Sequence, residues 1–168
     1  MRKHLQIVTL LLAFIALGCG EKVETRGDGF SINRRSAKPA ADAPVRLSGT
    51  PASRRVDLAN KGVGPVKTIE LSETPDPGLS RKGERLYNRM CLACHRIGKK
   101  SIGPALNDIL DRRSPEWVMN MTLDPERMVR EDSLARDLFR EYNGSPMANQ
   151  GLNREQARGI LEYLRTLE

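Results

Sequence analysis

Histidine is nearly absent from this 168-residue chain: there are two, His4 and His95. Cysteine is scarce as well, with Cys19, Cys91 and Cys94 the only three, and aromatic residues make up 4% of the composition, with a single tryptophan, Trp117. Three cysteines exclude a dense disulfide framework. Long hydrophobic runs are also missing. The longest, Leu5 to Leu17, is 13 residues, whereas a helix needs about 20 to span a bilayer. The formal charge is +7, yet residues 73–168 hold sixteen Lys/Arg against fifteen Asp/Glu. The basic surplus therefore belongs to the N-terminal part, and without a basic C-terminal domain no nucleic-acid partner is expected.

The first residues have the three parts of an export signal: a basic start at Met1-Arg2-Lys3-His4, the apolar run, and small residues before a cysteine. Residues 1–18 are expected to be a signal peptide removed after export to the periplasmic or cell-surface side of a bacterial membrane. Ala16-Leu17-Gly18-Cys19 resembles the lipobox of bacterial lipoproteins, in which Cys19 becomes the lipidated first residue and ties the chain to the membrane. Ordinary signal peptidase can use Ala16 and Gly18 at the same bond. A cysteine directly after a leader favours lipidation, because an exposed free thiol is a liability in an oxidising compartment. Residues 19–72 carry Pro39, Pro44, Pro51 and Pro65 among repeated Gly, Ser and Ala. They read as a lipidated N-terminus and flexible tether, with an extended segment expected over 63–71, where β-branched and polar residues alternate.

From residue 73 to 168 the pattern is helical, and the expected fold is a small all-α domain. After the Pro75-Asp76-Pro77-Gly78 turn, Leu79, Gly83, Leu86, Tyr87 and Met90 fall on one helical face. A mid-helix glycine costs about 1 kcal/mol relative to alanine, so Gly83 signals another helix crossing at close range. Asn153 can cap a last helix whose stripe is Ala157, Ile160, Leu161, Leu164 and Leu167, and these two helices are the expected crossing pair. Ser114-Pro115-Glu116 and Asp124-Pro125-Glu126 are cap-then-proline starts, predicting helices over 115–123 and 126–142.

Cys91-Leu92-Ala93-Cys94-His95 is C-x-x-C-H, the attachment motif for c-type haem. Two thiols three residues apart form thioethers to the two vinyl groups, and the adjacent histidine is delivered under the iron. A thioredoxin-like pair wants a βαβ context, which is missing, and a zinc site wants further Cys or His. With His4 in the leader and Cys19 at the far end of the tether, neither a four-ligand zinc site of Cys and His nor a second c-type haem can be built. One covalent haem c is expected, with His95 as proximal iron ligand. The imidazole then needs an acceptor on its second nitrogen, and the Pro104 carbonyl in Ile102-Gly103-Pro104 is a candidate beside an ordinary turn.

The sixth ligand must be methionine, lysine, water or nothing. Met90 abuts the attachment site, while Met119, Met121 and Met128 lie in predicted helices, where methionine is more often core filling than ligand. Met147 is assigned as the distal iron ligand, since its loop Asn143-Gly144-Ser145-Pro146-Met147-Ala148 crosses to the last helix and can lie over the haem face. His/Met ligation raises the reduction potential. Trp117 is a candidate for the haem pocket: its indole N–H can meet a propionate or pack in the core. Arg112 and Arg113 can pair with the same propionate or lie at the solvated surface.

Residues 79–168 resemble the class I cytochromes c, in which N- and C-terminal helices cross, C-x-x-C-H closes the first, a Gly-Pro loop follows and a methionine loop precedes the last. The resemblance implies that Gly83 and Tyr87 meet the last helix near Tyr163, that Pro104 supports His95 and that Met147 binds iron. In this chain Pro146 precedes the methionine and Ala148 follows it, where the family usually has proline after it. Gly103-Pro104-Ala105-Leu106, Arg113-Ser114-Pro115-Glu116-Trp117 and Met147-Ala148-Asn149-Gln150 are similar to the small cytochromes associated with nitrous-oxide reductase systems. The expectation is an electron carrier and no enzyme. Its donor would be a quinol-oxidising complex or cytochrome and its acceptor a terminal reductase or oxidase; Arg96, Lys99 and Lys100 are either the edge that meets an acidic partner or a solvated loop. The alternatives are a haem sensor or enzyme with an open or labile sixth site, and a subunit whose haem only completes a core.

Overall fold

The computed structural model describes residues 49–167. The leader at 1–18, Cys19 and the tether up to residue 48 lie outside these residues. Among the described residues there are five α-helices: α1 (Pro77–Met90), α2 (Pro115–Leu123), α3 (Pro125–Glu131), α4 (Ser133–Glu141) and α5 (Arg154–Leu164). Among the described residues there is no strand, only an isolated parallel bridge between Asp57 and Arg113, and no helix is long and apolar enough to cross a membrane.

Each helix starts where local chemistry directs it. The side chains of Asp76, Ser114, Asp124 and Asp132 accept from the N–H of Leu79, Trp117, Arg127 and Ala135, and proline opens α1, α2 and α3, where a missing N–H costs nothing. Asn153 and Gln156 close a capping box on α5, each side chain accepting from the other's backbone N–H at 2.9 Å. The helix expected over 126–142 is divided at Asp132, whose backbone is extended. One oxygen of Asp132 takes both the Ala135 N–H and the Trp117 indole N–H, and the other takes the Asn60 amide. That tertiary demand, which no glycine or proline announces, breaks the helix.

Helices α1 and α5 cross at Gly83 and Gly159. A Cβ on Gly83 would stand 1.8 Å from the Gly159 carbonyl oxygen, so backbone lies directly on backbone. Beside the crossing, the rings of Tyr87 and Tyr163 pack at 5.2 Å between centroids, tilted by 56°.

The N-terminal stretch differs from the expected tether. Residues 49–71 form a strap, irregular in backbone, laid against α2 and α3. Ala52 and Val66 are fully buried in the core. The Asn120 amide on α2 reads the strap like a backbone: its Nδ2 donates to the carbonyls of Lys61 and Val66, each at 2.9 Å, and its Oδ1 accepts from the Val66 N–H at 3.0 Å. Ser114 donates to the Asn60 carbonyl at 2.6 Å, and the Met128 sulfur accepts from the Val63 N–H at 3.1 Å. Gly64 permits the approach, since a Cβ there would fall 2.3 Å from the Asn120 oxygen. Residues 63–71 are therefore held by side chains rather than by a strand partner.

Two outcomes follow for the folded protein. Gly83→Ala should lose about 3 kcal/mol, overpacking outweighing alanine's better helix propensity. Gly159→Ala, whose Cβ would meet its nearest neighbour at 3.3 Å, should lose about 1 kcal/mol or less; urea unfolding monitored by circular dichroism separates the two. Asn120→Ala should cost about 3 kcal/mol, three strap hydrogen bonds at about 1 kcal/mol each, and hydrogen exchange should show the Val66 amide losing protection while α1 and α5 keep theirs.

Candidate haem site

The end of α1 builds the attachment turn. The Cys91 N–H still bonds to the Tyr87 carbonyl, and the N–H groups of Cys94 and His95 both return to the Cys91 carbonyl at 3.0 and 2.8 Å. One more helical turn thus gathers Cys91, Cys94 and His95 at the wall of a single cavity. The Tyr87 hydroxyl donates to the His95 carbonyl at 2.5 Å and clamps the turn to the α1–α5 crossing; burial, with the neighbouring Cys91 next, pushes that phenol up to about 12.

His95 is set from behind. The Gly103 N–H bonds to the Cys94 carbonyl at 2.9 Å, and a Cβ on Gly103 would fall 2.5 Å from the imidazole Cε1, so only glycine passes there. The next residue, Pro104, places its carbonyl oxygen 2.9 Å from Nδ1. Nδ1 must carry the hydrogen for that bond, which leaves the Nε2 lone pair free for a metal. Burial lowers the His95 pKa, opposed by the Pro104 carbonyl, and favours the neutral, ligating form. Burial and then Cys94 raise the Cys91 thiol to about 11, so it is protonated and a weak nucleophile at neutral pH.

The rest of the cavity wall is mainly apolar: Leu106 and Ile109 from the loop after Pro104, Val118 from α2, Leu138 from α4, and Ile160 and Leu164 from α5. Its volume is about 210 Å³. The lining suits haem, a flat apolar ring with an iron centre and two carboxylates. Two thiols and an imidazole face the same space as the apolar walls, and Arg112 and Arg113, both in the lining, keep buried Nε atoms without a partner among the described residues. Among those residues no cluster of three or more His, Cys, Asp or Glu offers a metal site of another kind.

The methionines sort by position. Met119 is buried away from the cavity and the Met128 sulfur is engaged by Val63. Met90, Met121 and Met147 line the cavity. Met147 arrives there because Asn143 and Gly144, both at positive φ, end α4 and turn the chain back, with the Gly144 N–H on the Phe139 carbonyl at 2.8 Å. Met121, assigned to core filling by its helical spacing, lines the same cavity.

Two readings of side chains are corrected. The Trp117 indole, though in the lining, donates to Asp132 at 3.1 Å, so its N–H is not free for a propionate. Arg113 is not at the solvated surface but 1% exposed, with its terminal nitrogens on strap and loop carbonyls. Arg96, Lys99 and Lys100 are exposed, and the Lys100 ammonium sits 4.6 Å over the Tyr142 ring.

Residues 80–168, more than half of the chain, match the family model for cytochrome c. Over 49 residues the chain is 37% identical to the cytochrome c-type cyt cy of Rhodobacter capsulatus, a match spanning 29% of this chain and 25% of that protein. Among solved structures, the cytochrome c from Rhodothermus marinus is similar with a TM-score of 0.60 and 45% identity over 62% of this chain and 89% of that one. An engineered form of the Rhodothermus protein, described as bound to a carbene intermediate, gives a TM-score of 0.57 and 44% identity over the same shares. With the attachment turn, the half-buried imidazole oriented by Pro104 and the apolar cavity in one all-α domain, the chain belongs to the cytochrome c family and carries covalently attached haem c.

Proposed function

We propose that this protein is an electron shuttle in which His95 and Met147 would hold the haem iron, exported and held by a lipid on Cys19 at the outer side of a bacterial membrane. Haem-based electron transfer comes with the family; the ligand pair, anchor and partners are the reading put forward here. The observation that carries it is the placing of Met147 in the same cavity as His95, Cys91 and Cys94. Bound haem supplies a one-electron couple at its iron. The chain's own part is to hold that group: Cys91 and Cys94 through thioethers, His95 oriented by Pro104, and Leu106, Ile109, Ile160 and Leu164 excluding water. With methionine and histidine as its ligands, the iron would favour the ferrous state at a raised potential. Donors fitting this reading are a quinol-oxidising complex or another cytochrome, and acceptors a terminal reductase or oxidase, nitrous-oxide reductase among them. The exposed Arg96, Lys99 and Lys100 suit brief contact with an acidic partner.

A second reading has one observation in its favour. Met121 lines the same cavity as Met147, and an exchangeable sixth position would suit a haem sensor or enzyme; the engineered Rhodothermus relative is described with a carbene intermediate. Absorption spectra of the haem-matured protein, Met147→Ala and Met121→Ala, oxidised and reduced, separate the two. The wild type should be low-spin with the weak red band of methionine-ligated ferric haem, lost in Met147→Ala and kept in Met121→Ala. A high-spin wild type that binds carbon monoxide readily would replace the shuttle with the sensor or enzyme. For the anchor, Cys19→Ser should move the protein from the membrane to the soluble fraction of cells expressing it; equal partition of both forms would remove the lipid from the reading.

A further inference from the structure

Met147 reaches the haem cavity on a loop that has little to hold it there. From Asn143 to Asn149 every residue except Met147 is exposed. The first hydrogen bonds of the loop fold back on α4: the Asn143 N–H to the Arg140 carbonyl at 3.2 Å, the Gly144 N–H to the Phe139 carbonyl at 2.8 Å and the Ser145 N–H to the Tyr142 carbonyl at 3.1 Å. From Pro146 to Asn149, among the described residues, no hydrogen bond reaches another element. The place of Met147 is therefore inherited from the last turn of α4.

The strap clasps that turn. Ser53, in the 3₁₀ turn Ala52–Arg54, donates its N–H to one carboxylate oxygen of Glu141 at 2.8 Å and its hydroxyl to the other. Glu141 is the last residue of α4, and hydrogen bonds to a carboxylate are of the strong kind. One helical turn earlier, Arg55 pairs with Asp137 at 3.0 Å. The strap's turn is itself held to the domain, since Ala52 is fully buried and the carbonyls of Ala52 and Arg55 accept from the Arg113 guanidinium. Ser53 and Tyr142, the residue after Glu141, both line the haem cavity.

We propose that Ser53 and Glu141 are positioning residues for the sixth iron ligand: the strap clasps the end of α4 and so keeps the Met147 sulfur in the cavity against small ligands that would take its place. The inference rests on the reading of Met147 as a ligand. Helix ends whose backbone hydrogen bonds face water open at little cost, and an outside ligand enters while the loop is away. The clasp thereby governs how closed the sixth position is, which is the property that separates a shuttle from a sensor or enzyme.

Stopped-flow mixing of the ferric, full-length, haem-matured protein with imidazole tests this, loss of the weak red band reporting replacement of Met147. Ser53→Ala should speed replacement about tenfold, the effect of losing one hydrogen bond to a carboxylate, and Glu141→Gln as much. The double variant should stay within about twofold of either single one, because both act on the same contact. Ser53→Thr, which keeps both donors, should stay within about twofold of the wild type. Hydrogen exchange should show the Gly144 amide losing protection in Ser53→Ala. Asn120→Ala is the control. It is expected to be the less stable protein, but it frees the strap at Lys61 and Val66, so its replacement rate should stay within about twofold of the wild type. Wild-type rates in Ser53→Ala and Glu141→Gln, or a rise in Asn120→Ala as large as in Ser53→Ala, would overturn the clasp while leaving Met147 as ligand. Where one of the two single variants does not mature, the other decides by the same criterion. A wild type without the red band, or a Met147→Ala that keeps it, would overturn the ligand reading and this inference together.

Discussion

Backbone contact between Gly83 and Gly159 is the constraint on which the haem site hangs. Because two helices touch there without intervening side chains, the axis of α1 is fixed against α5, and the direction in which its last turn points is fixed with it. The cysteines and His95 emerge from that turn, and the Tyr87 hydroxyl links it to the crossing through the His95 carbonyl. A displacement at the glycines would be carried along α1 and delivered at the imidazole. Gly103 exerts the same discipline from the other side, since the imidazole is gripped between its backbone and the Pro104 carbonyl. Ligand geometry is thus set by two places where a side chain is missing.

The strap solves a different problem. A segment without periodic apolar residues cannot stay folded by burying surface, and an irregular backbone leaves N–H and C=O groups that must be paired. Here Ser114, Asn120 and Arg113 on the domain supply the partners, and Ala52 and Val66 contribute what apolar burial there is. Such a network specifies one register, because each donor and acceptor matches a single backbone group.

What could be read from the sequence is what local chemistry encodes. The cap residues, the prolines after them and the 3.6-residue stripes marked α1, α2 and α5, and C-x-x-C-H named the cofactor. Long-range polar chemistry is harder to read. Asp132 is a local cap for the Ala135 N–H, but within a continuous helical pattern it does not stand out, and the partners that also hold it, Trp117 and Asn60, are distant in sequence. Asn120 and Arg113 look like surface residues until the strap is laid over them. Met121 shows the limit of periodicity: helical spacing says that a residue faces inward, but not whether the inside at that point is core or cavity. The pairing of His95 with Pro104 was accessible because only nine residues separate them and a glycine lets the chain double back.

The hydrogen bond from Val63 to Met128 has a consequence for iron as well as for the strap. A thioether sulfur is a soft ligand, and a protein with several of them near a haem risks more than one ligation state during maturation. With its sulfur already engaged by a backbone amide and its side chain fully buried, Met128 is withdrawn from that competition. Once the strap is seated, part of the choice of ligand is made by silencing a rival rather than by strengthening the winner.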